Sequence, residues 1–246
     1  MTPEQQSGAV VSDLHILTNR TTVHEHMDDI EAAAEAADLF VFNGDIFDFK
    51  WSTHGAFQES VAVAVAWIED LLRRNHDCRF VFLIGNHDGL PSYKAELVRL
   101  SNDYPNMTWE EFYLRLDDKV FLHGDVCQTT GSPAELETYR LKCNEHLRDH
   151  PVLHMLYWLV SHVGILRLFV KMISKESCAR RISQYLSTVM GSEFAEIREV
   201  YFGHVHTPFT DFPHNGRIFH NTGAALKRLH LQIMTFDFSE NGTEAT

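Results

Sequence analysis

The first hundred residues alternate between short apolar runs and segments with helical periodicity, and this alternation constrains the fold more than any other feature. The runs Ala9–Ser12, Leu39–Asn43 and Arg79–Ile84 have the length of buried strands. The Ala- and Glu-rich segment Glu25–Ala37 and the proline-opened segment Pro91–Ser101 are typical of helices. This order predicts an α/β fold, a mainly parallel sheet with helices on its faces.

One segment, VAVAVAW at 61–67, fits two patterns. Its alternation is typical of a strand. A helical stripe of apolar residues also runs through it, formed by Phe57, Val61, Val65, Ile68 and Leu72. Its length and its place between two strands favour the helix.

The second half has a different organisation. Short strands follow Met107 and end at Val120–Leu122, and residues 132–190 then carry almost no strand signal. Strands return at Val200–Phe202, Phe209–Phe212, Ile218–Asn221 and Leu231–Phe238, and the turn HNGR predicts a hairpin between two of them. We therefore expect a single domain over residues 1–246 with a helical cap inserted at about 132–190.

Charge separates this insertion from the rest of the chain. The whole chain has a formal net charge of -13, which argues against sequence-independent binding to nucleic acid. The insertion instead has more basic than acidic residues, which predicts contact with an anionic ligand or a membrane surface. The candidate substrate-binding cations are Arg140, Arg148, Arg167 and Lys171.

The insertion also contains the apolar segment PVLHMLYWLVSHVGILRLFVKMI. Two histidines, Arg167 and Lys171 interrupt it, so it lacks the uncharged run of about 20 residues that spans a membrane. A cap or interfacial helix and a plain core helix are both compatible with it.

The N-terminal residues are polar, and the four cysteines show no paired metal-ligand spacing. We expect free thiols and a cytoplasmic protein that contacts the inner membrane face peripherally.

Five polar clusters each follow an apolar run. They are SDLH with Asp13 and His15, NGDIFD with Asp45 and Asp48, GNHD with Asn86, His87 and Asp88, HGD with His123 and Asp125, and GHVH with His204 and His206. In a sheet whose strands point the same way, such clusters converge at the carboxyl edge, where ligands bind.

The chemistry of these clusters is that of a metal site. In Asp-x-His and His-x-His the two side chains lie on the same side of an extended segment. Carboxylate oxygens, imidazole nitrogens and an amide oxygen suit Mn, Fe, Zn or a similar divalent ion. Taken singly, each cluster has an ordinary explanation: Asp13 can cap a helix, and His123 can be a core histidine. The ordered set of five argues against coincidence.

Together the clusters resemble the pattern D-x-H, G-D-x-x-D, G-N-H-D, H, G-H-x-H of the calcineurin-like metallophosphoesterases. The resemblance implies a four-layer αββα sandwich and a dinuclear metal centre. One ion would be held by Asp13, His15, Asp45 and His206, and the other by Asp45, Asn86, His123 and His204. It also implies that His87 is a catalytic group that stabilises the transition state or protonates the leaving oxygen, with Asp88 orienting its ring. Asp48, Asp125 and Asn221 are expected to support the ligands.

The cap and the segment GDIFDFKW are similar to those of the UDP-2,3-diacylglucosamine hydrolases of lipid A synthesis. One departure is His87, where that branch typically carries Arg. The resemblance implies hydrolysis of a phosphodiester or pyrophosphate bond in a lipid-linked or UDP-sugar substrate, with Mn as the first choice of metal and Fe, Zn, Ni or Mg as alternatives. A phosphatase acting on small-molecule or protein monoesters is the second hypothesis. A binding module without catalysis is the third, and the complete ligand set disfavours it.

Overall fold

The computed structural model describes residues 5–129, 131–144 and 174–239. Its strands are β1 (Gln5–Val11), β2 (Leu39–Asn43), β3 (Arg79–Leu83), β4 (Met107–Glu110), β5 (Leu114–Leu116), β6 (Lys119–Leu122), β7 (Glu199–Phe202), β8 (Phe209–His214), β9 (Arg217–Asn221) and β10 (Met234–Ser239). Its α-helices are α1 (Met27–Ala36), α2 (Phe57–Arg74), α3 (Pro91–Asp103), α4 (Pro133–Asn144) and α5 (Lys175–Met190). Short 3-10 helices lie at Val23–Glu25, Asp125–Gln128 and Gly191–Glu196.

The strands form two five-stranded sheets. The first has the order β10-β1-β2-β3-β4, in which only β10 runs antiparallel to its neighbour. The second has the order β5-β6-β7-β9-β8, with β6, β7 and β9 parallel to one another. The parallel strands at the centre of each sheet bring their carboxyl ends to a common edge.

Successive side chains along a strand point to opposite faces of the sheet, so alternate residues pack under the helices or between the two sheets. In β2, Phe40 and Phe42 pack under the helices, whereas Val41 packs between the two sheets. In β7, Phe202 packs under the second helical layer and Tyr201 packs between the sheets. Helices therefore cover the outer face of both sheets, and the four-layer αββα sandwich expected from the sequence is confirmed.

Element types agree with the predictions more closely than element ends do. The ambiguous VAVAVAW segment lies in α2 and is helical. Strand β1 begins earlier than predicted because Gln5–Val10 pairs with β10 along its whole length. The HNGR turn forms the predicted hairpin between β8 and β9, with Asn215 and Gly216 at φ 48° and 77°, values that a tight hairpin turn requires.

The predicted cap is described only at its two ends. Helix α5 packs on the second sheet through Ile182 and Leu186, and α4 adds Leu136 to the same core. These helices form the outer layer of the sandwich. Residues 145–173, which include the apolar segment, lie outside the described residues, and the extent of a cap stays a prediction. No helix within the described ranges is long and apolar enough to cross a membrane.

Candidate metal centre

The loops after β1, β2 and β7 carry the candidate ligands in an unusual backbone conformation. Asp13, His15, Asp45, His204 and His206 have φ values of 54°, 47°, 53°, 64° and 54°. Residues other than glycine adopt this left-handed backbone region at a cost of about 1–3 kcal/mol each, and such residues are common at functional sites. Five of the ten non-glycine residues with positive φ in the described part of the chain are therefore predicted ligands.

One cluster combines Asp13, His15 and His206. The Nε2 atom of His206 lies 3.1 Å from Oδ1 of Asp13 and 3.3 Å from Nε2 of His15. The Nε2 atom of His15 lies 4.0 Å from Oδ2 of Asp45. These residues are the ligand set that the sequence resemblance implies for one ion, brought together from both sheets.

A second cluster lies on the other side of Asp45. Its Oδ2 atom is 3.2 Å from Nε2 of His123, and the same nitrogen is 3.2 Å from Oδ1 of Asn86. The ligand atoms of Asp45, His123 and His204 all lie within 4.8 Å of one another. Asp45 therefore belongs to both clusters, as a bridging carboxylate would.

Two buried polar atoms of the second cluster indicate that a cation fits there. Oδ2 of Asp45 and Nε2 of His204 make no hydrogen bond within the described residues. Such atoms are costly to bury unless a further group binds them. The donor set of carboxylate, imidazole and amide oxygen is suited to a divalent transition metal, so the residues present fit a two-metal site.

Two glycines allow the loops to approach one another. A Cβ atom at Gly85 would clash with the carboxylate and the backbone nitrogen of Asp45. A Cβ atom at Gly203 would clash with the Asp13 carboxylate, which accepts a 2.9 Å hydrogen bond from the backbone N–H of His204. Any larger residue at either position would displace a candidate ligand.

His87 lies beside the two clusters and is held by Asp48. Its Nδ1 atom is 3.1 Å from Oδ1 of Asp48, and its side chain is 21% exposed whereas those of His15 and His123 are buried. Its ligand atoms also approach those of His15 and Asp45 closely enough for a metal group. The pairing of Nδ1 with Asp48 and the exposure of the ring favour a catalytic group over a ligand.

The partner of His87 differs from the expectation. The carboxylate of Asp88 accepts hydrogen bonds from the backbone N–H groups of Gly85 at 2.6 Å and Ile46 at 2.9 Å. It thus ties the GNHD loop to the NGD loop, and Asp48 orients the ring in its place. Aspartate side chains often accept hydrogen bonds from nearby backbone N–H groups, and the Asp88 carboxylate is used in this way and not as the partner of His87.

Electrostatics in the metal-free site couple the acids to the histidines. Burial raises the pKa of Asp45, but the positive charges of His123 and His87 outweigh it and hold this pKa well below its usual value. Burial lowers the pKa of His123, yet the charge of Asp45 raises it to about 10. Burial and the neighbouring charge of His123 lower the pKa of His204 to about 4. The ionised forms of Asp45 and His123 therefore stabilise each other.

The structure describes the contacts of two further predicted residues, Asn221 and Arg140. Asn221 donates a 2.6 Å hydrogen bond to the carbonyl of Gly203, next to His204. Arg140 is only 2% exposed and binds Asp125 at 2.7 Å, so it does not present its charge to a substrate as the sequence analysis expected. Arg148, Arg167 and Lys171 lie outside the described residues, and their proposed role stays a prediction.

Some residues that support the candidate ligands were not predicted from the sequence. Ser12 donates to Asp13 and contacts Thr222 at 2.6 Å, which links the loops after β1 and β9. Arg20 approaches the carboxylate of Asp48 at 3.7 Å. The position of Ser12 next to Asp13 was a usable signal, but nothing in the sequence connects Arg20 to Asp48.

Comparisons with known proteins give the family of the chain and a similar fold. A family model described as calcineurin-like phosphoesterase matches residues 9–208. A crystal structure of a dimetal phosphatase from Danio rerio is similar in fold, with a TM-score of 0.51 and 14% identity, over 96% of this chain and 93% of that one. No curated protein matches the chain.

Proposed function

Because the chain belongs to the calcineurin-like phosphoesterase family, we propose that it hydrolyses a phosphodiester or pyrophosphate bond at a dinuclear metal centre. The observation that carries the proposal is the shared position of Asp45. Its Oδ2 atom lies 3.2 Å from His123 and 4.0 Å from His15, so one carboxylate joins two groups of candidate ligands. Two ions in such a site activate water and neutralise charge on phosphoryl oxygens.

The residues of the chain supply binding, orientation and a proton. Asp13, His15 and His206 would hold one ion, and Asn86, His123 and His204 the other, with Asp45 shared. The left-handed backbone at five of these residues and the packing of Gly85 and Gly203 fix the ligands before an ion binds. Preorganisation of this kind lowers the cost of reaching the reactive geometry.

His87 is the proposed general acid. Burial lowers its pKa, but the charges of Asp48 and Asp45 outweigh burial and raise the pKa to about 9. The ring is therefore protonated at neutral pH in the metal-free protein. Because Nδ1 faces Asp48, Nε2 on the opposite side of the ring is the atom that would donate its proton to a leaving oxygen.

For the substrate, we propose a lipid-linked or UDP-sugar pyrophosphate such as UDP-2,3-diacylglucosamine. The similarity of GDIFDFKW to that branch supports it, as does the basic and apolar character of residues 132–190. A segment of this kind offers apolar surface to acyl chains and cations to phosphates, and it would also account for peripheral contact with the inner membrane face. We propose Mn as the native metal.

A second candidate is a phosphatase of broader scope that acts on monoesters. His87 favours it, because the diacylglucosamine branch typically carries Arg at this position. A paired and partly exposed histidine can protonate the poor leaving group of an alkyl phosphate monoester.

A substrate panel assayed with Mn separates the two candidates. UDP-2,3-diacylglucosamine, bis(p-nitrophenyl) phosphate and p-nitrophenyl phosphate would be compared by kcat/KM. A preference for the UDP-lipid supports the pyrophosphatase, and a preference for the monoester supports the phosphatase. An Asp45→Asn preparation made in parallel controls for contaminating hydrolases. If the wild-type protein is no more active than this control on all three substrates, both candidates fail.

A further inference from the structure

Two residues of α4 face inward although this helix opens the predicted cap. Arg140 and Asn144 are one helical turn apart, and they are only 2% and 7% exposed. Buried arginine and asparagine side chains need specific partners. Their partners here are the loops that carry two candidate ligands of one metal.

Arg140 ties the carboxyl ends of the two sheets together. Its Nε and Nη2 atoms donate to the carboxylate of Asp125 at 2.7 and 3.1 Å, and Nη1 donates to the backbone carbonyl of Glu111. Glu111 follows β4 in the first sheet. Asp125 follows β6 in the second sheet and is two residues beyond His123. The guanidinium group thus spans the boundary between the sheets on the side of His123.

Asn144 binds the loop after β3 directly. Its Nδ2 atom donates to the backbone carbonyl of Asn86 at 3.0 Å and to that of Arg140 at 2.8 Å. A Cβ atom at Gly89 would lie 3.3 Å from Cβ of Arg140 and 3.6 Å from Nδ2 of Asn144. The GNHDG loop is therefore packed against this one turn of α4.

From these contacts we infer that Arg140 and Asn144 are positioning residues that hold Asn86 and His123 together for one of the two metal ions. Asn86 reaches the site from the first sheet and His123 from the second, and Oδ1 of Asn86 lies 3.2 Å from Nε2 of His123. The inference rests on the proposed two-metal function. The inferred role of α4 is to support the metal centre. This role does not depend on whether residues 145–173 bind a ligand.

The effect should be selective for one ion. The other cluster has supports outside α4 and the GNHDG loop: His15 faces Asp48 at 3.4 Å, and Asp13 accepts a hydrogen bond from Ser12. Loss of the α4 contacts leaves these in place. A purely structural ion pair between Arg140 and Asp125 would affect folding without distinguishing the two ions.

The test measures metal binding rather than turnover. Asn144→Leu keeps the approximate size of the side chain, removes its N–H donor without adding a charge, and replaces neither partner of the Arg140–Asp125 pair. Calorimetric titration of the metal-free proteins with Mn²⁺ should show one binding step weakened by about 10–100-fold, the range for residues that orient a ligand, and the other step unchanged. Lys142→Ala, at an exposed position of the same helix, should match wild type in both steps.

Further variants keep the result interpretable. Arg140→Lys retains the charge but replaces the planar guanidinium, whose three nitrogens bind Asp125 and Glu111, by a single ammonium nitrogen. It should therefore weaken the same step by less than Arg140→Ala does. If Arg140→Ala does not fold, the test is made with Asn144→Leu and Asn144→Ala. Equal weakening of both steps, or unchanged binding together with a lower Tm, would overturn the inference. A wild-type protein that binds fewer than two ions would instead refute the proposed function.

Discussion

The carboxylate of Asp48 holds the ring of His87, with Oδ1 of the aspartate 3.1 Å from Nδ1 of the histidine. The other oxygen of Asp48 lies 3.4 Å from Nδ1 of His15. A single buried carboxylate therefore orients both the candidate acid and a candidate metal ligand. Metal-binding histidines usually pair their second nitrogen with such a group, and this aspartate faces the rings of both His15 and His87.

Replacing His87 tests whether it is a catalyst or a ligand. His87→Ala should keep both metals, because Nδ1 faces Asp48 and the ring is partly exposed. Its kcat should fall by about 10²–10⁴, the contribution of a positioned acid. The measurement is kcat together with elemental analysis of metal per chain. Loss of one metal equivalent in this variant would make His87 a ligand and refute the assignment.

Replacing Asp48 should have two effects at once. Asp48→Asn should lower kcat about as much as His87→Ala does, because the acid loses its partner. It should also weaken metal binding by about 10–100-fold, because His15 loses its carboxylate. Exposed Asp70 provides a matched control as Asp70→Asn. The prediction fails if Asp48→Asn retains wild-type kcat and metal affinity.

The same pair predicts how the stability of the metal-free protein depends on pH. The pKa of His87 is raised from 6.5 to about 9, since the charges of Asp48 and Asp45 outweigh burial. A raised histidine pKa contributes stability that is fully present below pH 6.5 and is lost as pH rises through about 9. In EDTA, Asp48→Asn should therefore lower Tm more at pH 6 than at pH 10. An equal loss of Tm at both values would exclude a charged contact.

The sequence predicted the order of elements and the convergence of the ligands for a physical reason. The strands that carry Asp13, Asp45, Asn86, His123 and His204 are buried, so their apolar runs and the polar residues that follow are visible without a structure. Parallel pairing then brings their carboxyl ends to one edge. The ends of β1 were less predictable, because the pairing of Gln5–Val10 with β10 depends on residues more than two hundred positions away.

Residues that support the site were harder to predict. Asp48 replaces Asp88 as the partner of His87 because side-chain direction in a loop depends on which backbone N–H groups need acceptors. Arg140 was expected to bind substrate, but its partner Asp125 lies 15 positions away, in the segment after β6, and only the fold shows that both are buried. A buried ion pair and an exposed cation look alike in a sequence.

The apolar segment at residues 151–173 gives a prediction about substrate choice. Replacing Leu156, Leu159 and Phe169 with polar residues should raise KM for a long-chain lipid-linked substrate, because each buried CH₂ of an acyl chain contributes about 0.8 kcal/mol. Hydrolysis of bis(p-nitrophenyl) phosphate should change little, since the candidate metal ligands lie outside this segment of the sequence. Equal loss on both substrates in a folded variant would contradict a lipid-binding role.

The bridging role of Asp45 gives the most direct test of the metal centre. Its Oδ2 atom faces His123 at 3.2 Å and His15 at 4.0 Å, and its Oδ1 atom accepts a 2.7 Å hydrogen bond from the backbone of His87. Asp45→Asn removes the negative charge that both ions share, so occupancy of both sites should fall and hydrolysis should nearly stop. His206→Ala is the matched comparison, because it removes a ligand of one ion only and should leave about one equivalent bound. Elemental analysis that finds two full equivalents on an active Asp45→Asn variant would show that Asp45 does not bridge.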